Sequence, residues 1–178
     1  MNNKHLWDFD ENKNYKTHEV NNIKYKVLDL KNSFEAAKLL NKLDNLLMRL
    51  FISLELSNER DKYINLLLQT PHELQEMQLI KDQAIIKFEG LNKPKNIKNY
   101  RSLDSIGTDK TFRAKNRVIF LTLRDENGKL KNVNSIISLL AHELTHTALN
   151  HLSFIDDNHS HPFNKYYNII HKILKRLD

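Results

Sequence analysis

One five-residue segment constrains this chain more than any other: His142-Glu143-Leu144-Thr145-His146, set inside the mostly apolar run from Asn134 to Asn150. The run reads as an amphipathic helix, and H-E-x-x-H on a helix is the zinc-protease signature. Residues four apart lie roughly 40° from each other around a helix axis, so His142 and His146 project side by side. Two imidazole nitrogens can then hold one tetrahedral Zn²⁺ at about 2.0–2.1 Å each. Glu143 is displaced by roughly 100° along the same helix. From there it reaches a metal-bound water as general base without joining the ligands. The bland alternative is a buried helix with two satisfied core histidines. An internal comparison is His72-Glu73-Leu74-Gln75-Glu76, which shares the first three letters but ends on Glu and follows Pro71. It reads as the ordinary first turn of a helix, where Pro and Glu are favoured.

A catalytic zinc takes three protein ligands and leaves one position for water. No Glu follows Glu143, so a distant Glu ligand is excluded. The longer form H-E-x-x-H-x-x-G-x-x-H is also excluded, because Leu149 and Leu152 stand at its last two positions. No Gly follows Gly128, which disfavours a glycine turn followed by Asp156 or Asp157. Histidines remain: His142, His146, His151, His159, His161 and His171 crowd into the last third of the chain. On a continuing helix His151 points away from both partners, so it can serve only if the helix stops before it. His159 and His161 follow the loop-like Asp156-Asp157-Asn158, and Pro162 suits the start of a last helix, Phe163 to Leu177. His171 lies two turns further on and is the weakest of these.

H-E-L-x-H, a short loop, and H-x-x-x-F opening a helix resemble the WLM and SprT-type minimal metalloproteases, including the Spartan-like DNA–protein-crosslink proteases. Here the match is His142-Glu143-Leu144-Thr145-His146, then His159-Ser160-His161-Pro162-Phe163. The stretch from Arg117 to Leu130 also resembles short stand-alone WLM-like proteins of large DNA viruses. The overlap covers roughly residues 84–175. The resemblance implies His159 as third ligand, with His161 as its rival, and DNA-bound or DNA-crosslinked proteins as the substrate class.

The 178 residues suit one domain with a substantial core. Residues 1–16 read as a polar N-terminal arm and 17–178 as a single metallopeptidase domain. The N-terminus has no apolar leader and no run reaches membrane-spanning length, so a soluble intracellular protein of cytoplasm or nucleus, neither secreted nor membrane-bound, is expected. With zero cysteines, disulfides and cysteine zinc ribbons are excluded. Net charge is +6. Residues 93–131 hold eleven Lys or Arg against four Asp or Glu, a local +7, so the remainder sums to −1. Tyr100, Phe112 and Phe120 are interleaved there. This predicts a DNA-facing surface, with the cations on phosphates and the aromatics stacking on bases; a merely solvated Lys-rich face is the alternative.

Ile23–Val27 alternates as a strand, and Ser33 is placed to cap a long helix with an apolar stripe from Ala36 to Leu54. A second helix is expected over 58–69, a strand over 84–88, a loop from Gly90 to Gly107, a strand over Val118–Leu123 and two closing helices. Together these predict an α+β, zincin-like fold, with a small mixed sheet packed on helices and the H-E-x-x-H helix followed by a C-terminal helix. The expected activity is a zinc-dependent endopeptidase acting on a protein or peptide substrate. Tyr166, Tyr167 or His171 would stabilise the oxyanion, and Val118–Leu123, if a sheet edge, would pair with substrate. The rival from another class is a nucleic-acid-binding module whose structural or vestigial zinc is closed by His142, His146, His159 and His161. A metal-free interaction domain is a third reading.

Overall fold

Asn21 and Asn22 both adopt left-handed backbone, with φ of 52° and 67°. That is the conformation of a two-residue type I′ turn, whose twist suits a hairpin. It joins β1 (Tyr15–Val20) to β2 (Ile23–Leu28) in antiparallel register, Val20 opposite Ile23. Tyr15 and Lys16, assigned from sequence to the polar arm, are thus strand residues. The computed structural model describes residues 14–78, 80–81, 87–95, 115–151 and 161–178, a mixed α+β arrangement with small sheets and four helices.

Helix α1 (Ser33–Glu55) begins one residue earlier than a cap at Ser33 would start it. Asn32, left-handed at φ 64°, is the N-cap, and the imidazole Nε2 of His18 lies 2.8 Å from the Ser33 hydroxyl. The predicted stripe from Ala36 to Leu54 is buried. Helix α2 (Lys62–Leu68) is shorter than expected because Asp61 caps it, accepting from the amides of Tyr63 and Ile64.

The main sheet has the order β3-β7-β6. Strand β3 (His72–Glu76) runs parallel to β7 (Arg117–Leu121), and β6 (Gly90–Pro94) runs antiparallel to it. Three expectations change here. His72–Glu76 is a strand and not a helix turn, since its backbone pairs with β7 from His72↔Arg117 to Glu76↔Leu121. The first residues of the expected loop, Gly90–Pro94, form β6 instead. The Val118–Leu123 segment is no edge: β7 lies between two neighbours, and among the described residues the edges are β3 and β6. Pro94, which has no N–H, is tolerated because it ends an edge strand. A separate pair, β4 (Ile80–Lys81) with β5 (Lys87–Phe88), covers the described part of the expected 84–88 strand.

Two helices follow the Asp125–Gly128 turn. Asn132 caps α3 (Val133–Ala148) by accepting from the Ser135 amide. Helix α4 spans His161–Leu177. The core is continuous from α1 through α2 to α3 and α4, with Leu40, Leu50, Ile64, Ile137, Leu140, Leu144 and Ile170 fully enclosed. Among the described residues, no helix is long and apolar enough to cross a membrane.

Candidate metal centre

Helix α3 buries Ile136, Ile137, Leu140, Ala141, Leu144 and Ala148 against the core, and this fixes its rotation. Their burial turns His142 and His146 to one shared side. The two Nε2 atoms lie 3.2 Å apart. Two ligands of a tetrahedral ion at about 2.0–2.1 Å stand about 3.3–3.4 Å from each other. The pair therefore has the spacing of a half-built metal site. A carboxylate oxygen of Glu143 joins the same cluster, all three ligand atoms lying within 4.8 Å of one another. This group could hold a metal ion. Glu143 and His146 are buried, and His142 is half-buried.

Phe163, from the first turn of α4, closes one wall. Its ring centroid is 5.0 Å from His142 and 5.0 Å from His146. The opposite support is β6. Gly90 lets that strand approach the helix: a Cβ there would sit 3.2 Å from Glu143 Cγ and 2.9 Å from Leu139 Cδ1. Two residues along, the Asn92 amide donates to the Glu143 carbonyl (2.6 Å) and to the Thr147 hydroxyl (2.7 Å). The Asn92 oxygen accepts from Arg117 at 3.1 Å, and His72 Nε2 lies 2.8 Å from the Thr147 hydroxyl. This polar seam draws on four elements, β3, β6, β7 and α3, so no local sequence pattern announces it.

The seam has an unusual charge state. Arg117 is buried, and burial lowers its guanidinium to about 10, which still leaves it protonated at neutral pH. Burial first, and the Arg117 charge second, push His72 down to about 3, so that imidazole is neutral.

The sequence-predicted residues divide. His142, Glu143 and His146 come together. His159 lies outside the described residues, as do Tyr100 and Phe112. His161 is the first residue of α4. Helix α3 does stop before His151, yet His151 reaches the far side of His146: the two Nδ1 atoms are 2.8 Å apart. Tyr166 is committed elsewhere, its hydroxyl donating to Asp61 at the α2 cap. Tyr167 stacks on His171 at 5.2 Å, and His171 Nε2 lies 3.1 Å from the Ser138 hydroxyl, one turn before His142.

The basic stretch changes as well. Phe120 is buried beside Met77, Leu91 and Val118, so it is core and not a stacking platform. Arg124 is buried in an ion pair with Glu76 at 2.9 Å, and Lys95 pairs with Glu73. Among the described cations of this stretch, Arg117 and Arg124 are interior.

No protein-family model matches this chain, and no curated protein or solved structure matches it either.

Proposed function

We propose that this chain is a zinc-dependent endopeptidase with a zincin-like arrangement of helix and sheet. The observation that carries the reading is the 3.2 Å spacing of His142 and His146 Nε2, with the Glu143 carboxylate in the same cluster. His142 and His146 would hold the ion, with His159 as third ligand and His161 as the alternative. A bound zinc supplies a water with its pKa lowered to about 7 and polarises the scissile carbonyl.

The chain's own residues do the rest. Glu143, one position along from His142, accepts a proton from the attacking water and returns it to the leaving amide nitrogen. Its burial and the Asn92 bond to its carbonyl keep that segment of helix in place. The edge strand next to Glu143 is β6, and an extended substrate adding to it would run past the carboxylate. With Tyr166 held by Asp61, the oxyanion donor falls to His171, beside Ser138, or to Tyr167, stacked on His171.

The resemblance favours DNA-bound or DNA-crosslinked proteins as substrates. The test is cleavage of a DNA-binding protein, with and without DNA, by the wild type and Glu143→Gln. The variant is expected to retain zinc and lose hydrolysis by at least about a hundredfold, as removal of a general base predicts. Unchanged cleavage by Glu143→Gln would refute the assigned base. Counting protein ligands on the bound metal separates this reading from the nucleic-acid-binding module: three leave a position for water and four do not.

A further inference from the structure

We infer that His151 is a positioning residue of the metal centre: its Nδ1 accepts the Nδ1–H of His146 and so leaves the His146 Nε2 lone pair for the ion. The inference rests on the zinc reading of His142 and His146. An imidazole that binds metal through Nε2 carries its proton on Nδ1, and the partner of that N–H sets the tautomer and the ring's orientation. His146 has both contacts on opposite sides of one ring. Its Nε2 faces His142 Nε2 at 3.2 Å, and its Nδ1 faces His151 Nδ1 at 2.8 Å.

The backbone builds this contact. Helix α3 ends in a left-handed residue, Asn150, at φ 57°. The Asn150 amide bonds the Thr147 carbonyl at 3.0 Å, and the His151 amide bonds the His146 carbonyl at 2.9 Å. These are the paired bonds of a Schellman turn, and Asn is one of the few residues that takes the left-handed position readily. The turn folds residue 151 back beneath residue 146. Buried Arg117 then donates to the His151 carbonyl at 2.9 Å. The His151 ring lies parallel to Phe163, 7° from coplanar, with centroids 6.4 Å apart. His151 is thus held at its amide, its carbonyl and its ring. Because it meets the nitrogen of His146 that faces away from His142, it supports a ligand and is not one itself.

The test is a zinc competition titration against a chromophoric chelator, on the full chain as wild type, His151→Ala and His151→Asn. Loss of such a partner is expected to weaken zinc about 10- to 100-fold in His151→Ala. Asn places Oδ1 where Nδ1 stood and keeps an acceptor, so His151→Asn is expected to recover most of that loss. Cobalt-loaded forms of all three should show the same ligand number in their visible spectra, and unfolding of the metal-free proteins reports whether the fold is kept. Three results would overturn the inference: zinc held by folded His151→Ala within twofold of wild type, His151→Asn no better than the alanine variant, or a cobalt spectrum that loses a ligand. Wild-type protein that takes up no zinc would instead remove the metal centre, and this role with it.

Discussion

Single side chains decide how closely the parts of this site approach. Gly90 is the plainest case, because a methyl group there meets Glu143 Cγ and the Phe120 carbonyl, each at 3.2 Å, as well as Leu139 Cδ1 at 2.9 Å. Leu139 can swing aside, whereas the backbone oxygen cannot. Gly90→Ala should therefore shift the carboxylate while leaving the histidines alone. The expected outcome is kcat/KM lowered about 10- to 100-fold, with zinc affinity within about threefold by chelator competition; equal loss of both would assign Gly90 to the fold and not to Glu143. His72 makes a second residue-scale prediction. It is held neutral by burial and by Arg117, with its pKa near 3, whereas an unfolded histidine titrates near 6.5. Between those values the unfolded chain binds the extra proton, so this contribution is complete above about pH 6.5 and is lost progressively as pH falls toward 3. The slope is at most about 1.4 kcal/mol per pH unit. Thermal unfolding of metal-free protein from pH 7 to 4.5 should show a steeper fall for wild type than for His72→Asn; parallel curves would show that His72 is not held neutral.

At the scale of elements, β6 and α3 are joined by one amide. Asn92 donates to the Glu143 carbonyl and the Thr147 hydroxyl, and it accepts from Arg117, whose guanidinium is buried. Asn92→Ala leaves these groups short of partners inside the protein, a cost of about 1–3 kcal/mol. For a chain of this length that lowers the melting temperature by roughly 2–12 °C, measurable by calorimetry; an unchanged midpoint would show that the seam does not hold the strand to the helix. The same elements show how far the sequence was legible. Helices α1 and α3, strand β2 and strand β7 declare themselves through local periodicity, and His142 with His146 needs only the helical repeat. Strand β3 does not, because His72-Glu73-Leu74-Gln75-Glu76 is polar and becomes a strand only by pairing with β7, 45 residues away at every position of the register. Strand β6 carries a glycine at one end and a proline at the other, both ordinary signs of a loop, and is stabilised by its neighbours. His151 was legible only in part. Asn150 at the end of an apolar helix is a signal for a left-handed cap, but the Arg117 bond that secures the turn joins residues 34 apart.

For the molecule as a whole, the metal's effect on stability depends on which elements its ligands join. His142 and His146 both belong to α3, so an ion held by them alone would tie that helix only to itself. A third ligand from His159 or His161 would connect α3 to the start of α4, whose Phe163 already packs on both imidazoles. Binding to the folded state alone stabilises it by about 4 kcal/mol when free zinc is a thousand times its dissociation constant. At roughly 2–4 °C per kcal/mol for a chain of this size, that is a rise of about 8–16 °C in melting temperature, removed by chelator. His159→Ala is expected to lose most of this rise and His161→Ala to keep it, both read as the zinc-dependent difference in unfolding midpoint, so that any change in the metal-free protein cancels. The reverse pattern would move the third ligand to His161. If both variants kept the full rise, neither histidine would be a ligand, and the ion would be held without any link from α3 to α4.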